Sequence, residues 1–106
     1  MKISADYSSG RLTIRLCGEL DHHSAREGMA AIERLLDEYM PRDAVLDMSA
    51  LTFMDSAGIA LILRTERRMR ASGGRACIAN PASQPMRVLD ASGIDRMIPV
   101  RGGTRQ

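Results

Sequence analysis

The chain has 106 residues, 44% hydrophobic and 26% charged. That length and balance specify one compact domain with a radius of gyration of about 13 Å, and argue against disorder, collagen, coiled coil or a second full domain. Aromatic residues make up 3%, with no Trp, so the core is aliphatic and Met-filled, and stacking on nucleic-acid bases is a poor prospect. The net charge of +2 divides unevenly. Residues 1–55 carry 6 basic and 10 acidic side chains and residues 56–106 carry 9 and 3, every basic residue but Lys2 being Arg. A solvated, Arg-rich helix face accounts for the second half better than a nucleic-acid partner does.

Ile3, Ala5 and Tyr7 alternate with polar residues, Ser8-Ser9-Gly10 supplies a turn, and Leu12, Ile14 and Leu16 alternate again. This predicts a β-hairpin with one polar face. Ser24-Ala25-Arg26-Glu27 has the form of a capping box, so a helix starts there. Its apolar stripe is Ala25, Met29, Ile32, Leu36 and Tyr39, and Pro41 ends it. Ala44 to Met48 and Ala76 to Ala79 are short apolar runs suited to central strands. Between them, Ser56 to Ala71 reads as a second helix. It has Ile59, Ile62, Leu63 and Met69 on one side and Arg64, Arg67 and Arg68 towards another, with Ser72-Gly73-Gly74 as its stop. A third helix runs from about Ser83 to Ala91, burying Met86 and Leu89 and ending at Ser92-Gly93, and Met97 to Val100 forms a last strand.

The order ββαβαβαβ defines an α/β fold, a mixed sheet covered by helices through right-handed crossovers, occupying residues 1–100 as one domain. Residues 101–106 read as a flexible tail. Cys17 and Cys77 lie far apart in apolar surroundings, which predicts two buried free thiols and a reducing, cytoplasmic setting. The N-terminus has no signal-peptide core, and the longest apolar run, Ile59 to Leu63, is too short to span a bilayer.

In sheets of this kind sites gather beyond the carboxyl ends of strands, and two segments qualify, the loops Gly18 to His23 and Ser49 to Asp55. Asp55-Ser56-Ala57-Gly58 lies where strand, loop and helix start meet. Asp55 caps the helix, and Ser56 in its first turn exposes a hydroxyl where free amides and the helix dipole favour an anion by about 0.3–1 kcal/mol. A Ser56 nucleophile served by a histidine of Asp21-His22-His23 lacks the G-x-S-x-G elbow, and adjacent His side chains diverge. Neither HExxH nor metal-ligand spacing occurs, and no phosphate-binding loop does, so neither metal nor cofactor is expected. A phospho-accepting receiver needs a late lysine that this chain lacks.

Gly18-Glu19-Leu20-Asp21-His22-His23-Ser24-Ala25, then Leu46 to Ile59 with its Met54-Asp55-Ser56-Ala57-Gly58-Ile59 end, resemble the STAS family, and most closely its bacterial anti-sigma factor antagonists. Val88-Leu89-Asp90-Ala91-Ser92-Gly93-Ile94 resembles the family's third-helix motif, so the likeness spans about residues 2–100. The resemblance implies a small mixed sheet flanked by helices, and a partner switch. The unphosphorylated protein binds an anti-sigma factor that is also a serine kinase of ATPase-like fold, freeing the sigma factor. Phosphorylation at Ser56 ends the binding, and a PP2C-type phosphatase reverses it. Partner contacts then fall on Asp21, His22, His23, Ser24, Met54, Asp55, Ala57, Gly58 and Ile59, and the protein is a substrate rather than an enzyme, monomeric when free. The alternative is a non-switching STAS subunit of a lipid-transport ABC system or of a stress-sensing complex. With few residues after Val100, the final helix that many relatives carry is expected to be missing or reduced to the Arg-containing tail.

Overall fold

The computed structural model describes residues 1–103. Strand β1 (Lys2–Ser8) turns through Ser9 and Gly10, both at positive φ, into β2 (Arg11–Leu20). This is the left-handed geometry that a tight hairpin needs and that glycine adopts without strain. Helix α1 (Ala25–Tyr39), β3 (Asp43–Met54), α2 (Ser56–Ala71), β4 (Arg75–Ala79), α3 (Ser83–Ser92), a 3-10 turn (Ile94–Arg96) and β5 (Val100–Arg101) follow. The sheet order is β1-β2-β3-β4-β5, with β1 antiparallel to β2 and the remaining pairs parallel. The radius of gyration is 12.4 Å.

One core lies on one face of this sheet. Leu12, Ile14 and Leu16 of β2, Leu46 and Met48 of β3 and Ile78 of β4 meet Met29, Ile32 and Leu36 of α1, Leu61, Ile62 and Met69 of α2, and Leu89 of α3. The alternate residues Arg15 and Cys17 are exposed and Asp47 is half-buried, with Arg15 Nε 3.7 Å from the Asp47 carboxylate. Cys17 and Cys77 are both free, but Cys17 is exposed and Cys77 half-buried, because both fall on the polar phase of their strands. The expected burial of the thiols is corrected by that phase.

Three boundaries also differ from expectation. Residues expected as loops, Gly18 to Leu20 and Ser49 to Met54, continue β2 and β3. Two register shifts, between Arg15 and Cys17 and between Gly18 and Glu19, place extra residues in β3, so its buried positions step from Met48 to Leu51 to Met54. Bulges of this kind break the period of two by which a strand is recognised. The last strand is shorter and later than Met97 to Val100, since Ile94–Arg96 form a 3-10 turn, and it includes Arg101 from the expected tail. Residues 104–106 of that tail lie outside the described residues. Tyr39, expected in the core stripe of α1, is exposed and stacks on Tyr7 at 5.1 Å between ring centroids, across the hairpin end.

The charge imbalance between the halves resolves at the α1–α2 interface. Arg64 pairs with Glu33 at 3.2 Å and Arg68 with Asp37, so acidic α1 neutralises much of basic α2. These exposed pairs fix register more than they add stability.

Candidate functional site

Leu20 and Met54, the last residues of β2 and β3, are register partners, so the segments that follow leave the sheet side by side. The Asp55 amide closes this ladder on Leu20 O at 3.3 Å. Its carboxylate then divides. Oδ1 accepts from the Ala57 amide at 2.8 Å and caps α2, while Oδ2 accepts from the His22 amide at 3.2 Å and ties down the β2–α1 loop. One side chain thus positions both halves of the sequence-predicted site.

The loop is built around Asp21. Its Oδ1 accepts from the amides of His23 and Ser24, each at 3.0 Å, and its carbonyl accepts from Ala25 N at 2.9 Å. Asp21 is therefore the cap of the turn that opens α1. The expected capping box is absent: Ser24 has helical φ and ψ, and its hydroxyl accepts from Asp21 N at 3.0 Å and donates to Glu19 O at 2.9 Å. A competing cap three residues upstream, followed by one unbroken turn, overrides the Ser24/Glu27 pattern. The Ser24 amide above all, with its hydroxyl and the His23 amide, holds the Asp21 carboxyl below its usual range. The rings of His22 and His23 do not diverge as expected. They stack edge to face at 5.7 Å.

Ser56, the first residue of α2, is exposed, and its hydroxyl has no hydrogen bond among the described residues. Ile59, one turn on, is half-buried, as is Ala57. Met54 and Gly58, both expected to meet a partner, are buried. They form the floor on which α2 rests: a Cβ built on Gly58 falls 2.6 Å from Met54 Sδ and 3.2 Å from Leu20 Cδ2. One residue of the site had no signal in the sequence. The Gln84 side chain pairs with the Met54 backbone as a strand would, with Oε1 accepting from Met54 N at 2.8 Å and Nε2 donating to Met54 O at 2.9 Å. It pins α3 beside Ser56. Among the described residues, no group of three or more His, Cys, Asp or Glu side chains is arranged to hold a metal ion.

The sequence matches the STAS domain family over residues 2–105, and the chain belongs to that family. It is 29% identical over 100 residues to an anti-sigma F factor antagonist of Paenibacillus polymyxa, covering 94% of this chain and 86% of that protein. Its fold matches the anti-sigma factor antagonist SpoIIAA in its unphosphorylated form with a TM-score of 0.79 at 28% identity, over 93% of this chain and 87% of the other. It also matches the phosphorylated form of the Bacillus cell fate determinant SpoIIAA, with a TM-score of 0.69 at 31% identity over 93% and 90%.

Proposed function

We propose that this chain is an anti-sigma factor antagonist that works by partner switching, with Ser56 as its phospho-acceptor. The observation that carries this is the state of Ser56: an exposed hydroxyl at the start of α2 with no hydrogen bond among the described residues, beside a loop fixed to the Asp55 carboxylate that also caps the helix. The likeness to SpoIIAA, whose phosphorylated form is known, supports it. In its unphosphorylated form the protein docks on an anti-sigma factor through the loop of Asp21, His22, His23 and Ser24 and the first turn of α2, and the sigma factor is released. The anti-sigma factor is a serine kinase of ATPase-like fold. The Ser56 oxygen attacks the γ-phosphorus of its ATP, the hydroxyl proton passes to a base on the kinase, and ADP leaves. A PP2C-type phosphatase hydrolyses the ester. The chain is a substrate in both steps and contributes no catalytic group; the setting is the cytoplasm, and among the described residues no helix is long and apolar enough to cross a membrane.

The phosphate adds about −1.5 to −2 charges to a surface that desolvates on docking, where Asp55 and Asp21 already carry like charge. Carrying a partner from mostly bound to mostly free takes about 5.5 kcal/mol in the extreme case, a range open to a buried dianion facing two carboxylates. Affinity capture from host lysate, with the parent chain and Ser56→Asp as baits, tests the switch. Retention of a kinase-fold anti-sigma factor by the parent and its loss from the variant is the expected result. Transporter subunits captured equally by both baits overturn it in favour of a non-switching subunit.

A further inference from the structure

A groove of about 490 Å³ runs from Ser56 between α2 and α3, lined by Ser56 and Ile59 on one side and by Gln84, Arg87, Val88 and Ala91 on the other. Arg87 is exposed, forms no ion pair among the described residues, and is the one charged side chain lining the groove. Its position is set. The two hydrogen bonds of Gln84 to Met54 clamp the first turn of α3 to the end of β3, and Arg87, three residues further, rises from the same side of the helix.

We propose that the Arg87 guanidinium binds the phosphate of phosphorylated Ser56 as a bidentate ion pair, the ester staying intact, and so closes a clasp across the α2–α3 groove. The inference rests on the phosphorylation of Ser56 proposed above. A phosphoserine offers three acceptor oxygens, and the planar guanidinium fork binds two of them at once. The other charged or titratable side chains described around Ser56 are placed differently. Both oxygens of Asp55 already accept amide hydrogens and carry the sign of the phosphate, Asp21 is committed to its own loop, and His22 and His23 lie on the β2–α1 side of Ser56. Among the described residues lining the groove, Arg87 is the one that supplies a cation, and it does so from the α3 side.

The clasp lies over Ile59 and Val88, which the unphosphorylated protein presents in the groove. Phosphorylation then acts twice, adding charge at Ser56 and covering apolar surface beside it. Ser56→Asp, with one charge and a shorter reach, reproduces the first effect and little of the second.

The test is a chain carrying phosphoserine at position 56, installed during translation so that no kinase is needed. Its phosphate is titrated by phosphorus NMR in the parent, in Arg87→Lys and in Arg87→Ala. A cation held against the phosphate stabilises the dianion, so the parent titrates about half a pH unit or more below Arg87→Ala, with Arg87→Lys between them. Should the alanine variant unfold, Arg87→Gln keeps the aliphatic stem and gives the same comparison. Equal midpoints in the parent and the uncharged variant overturn the clasp and leave the Ser56 switch standing. Because the ester is built in, the midpoints report on Arg87 whether or not a kinase acts on this serine in the cell.

Discussion

Replacing Gly58 by alanine sets two effects of opposite sign against each other. Alanine is the better helix former by about 1 kcal/mol, so on propensity alone Gly58→Ala stabilises α2. The structure reverses the sign. The new Cβ falls 2.6 Å from Met54 Sδ, closer still to its Cγ, and 3.2 Å from Leu20 Cδ2. Neither side chain has room to yield, since both are fully buried, and Met54 is further held at its backbone by Gln84. Overpacking of this kind costs about 1–3 kcal/mol, and the Cγ contact puts the site at the upper end. The net expectation is a loss of about 1–2 kcal/mol, measured by urea unfolding of the parent and variant, with a fall in Tm of about 4–8 °C for each kcal/mol in a chain of this size. Relief of the clash lifts the first turn of α2, so Ser56→Asp and Gly58→Ala are predicted to weaken partner binding by different routes, only the second with a loss of stability. A variant as stable as the parent would refute the close packing of α2 on Met54.

Two further predictions follow from the same site. Gln84→Ala leaves Met54 N and O without partners in a buried place, and is expected to cost about 2–3 kcal/mol in urea unfolding. Gln84→Glu, which keeps the acceptor and loses the donor to Met54 O, should fall between, and a neutral Gln84→Ala refutes the clamp. The Asp21 carboxyl is held below its ordinary value of 3.8 by the Ser24 amide first, so its contribution is present above that value and is lost as pH falls through the lower folded midpoint. Carbon NMR titration of the Asp21 carboxylate checks this, and a midpoint at or above 3.8 contradicts the loop geometry.

Where the periodicity was clean, the sequence was a sufficient guide. The hairpin turn at Ser9-Gly10, the span of α2 and the stop of α3 at Gly93 are each set by residues close in the chain. Asp55 is legible as a cap for the same reason. Its second role is not, because the His22 amide that it holds is 33 residues away. The bulges of β3 hid half of that strand, since an inserted residue turns a period of two into a period of three and imitates a loop. Ser24 looked like a cap and was displaced by Asp21, whose carboxylate reaches two amides instead of one.

Local chemistry thus determined the fold class, the order of elements and the serine at the start of α2, because turns, caps and helix stripes are written over spans of a few residues. The tertiary structure decided which side of that chemistry faces outward. Parallel pairing of β2 with β3 brought Asp21 and Asp55 together, the phase of each strand exposed Cys17 and buried Met54, and the packing of α3 set Gln84 and Arg87 beside Ser56. Contacts between residues about 30 positions apart arise only when the sheet closes, and no local pattern encodes them.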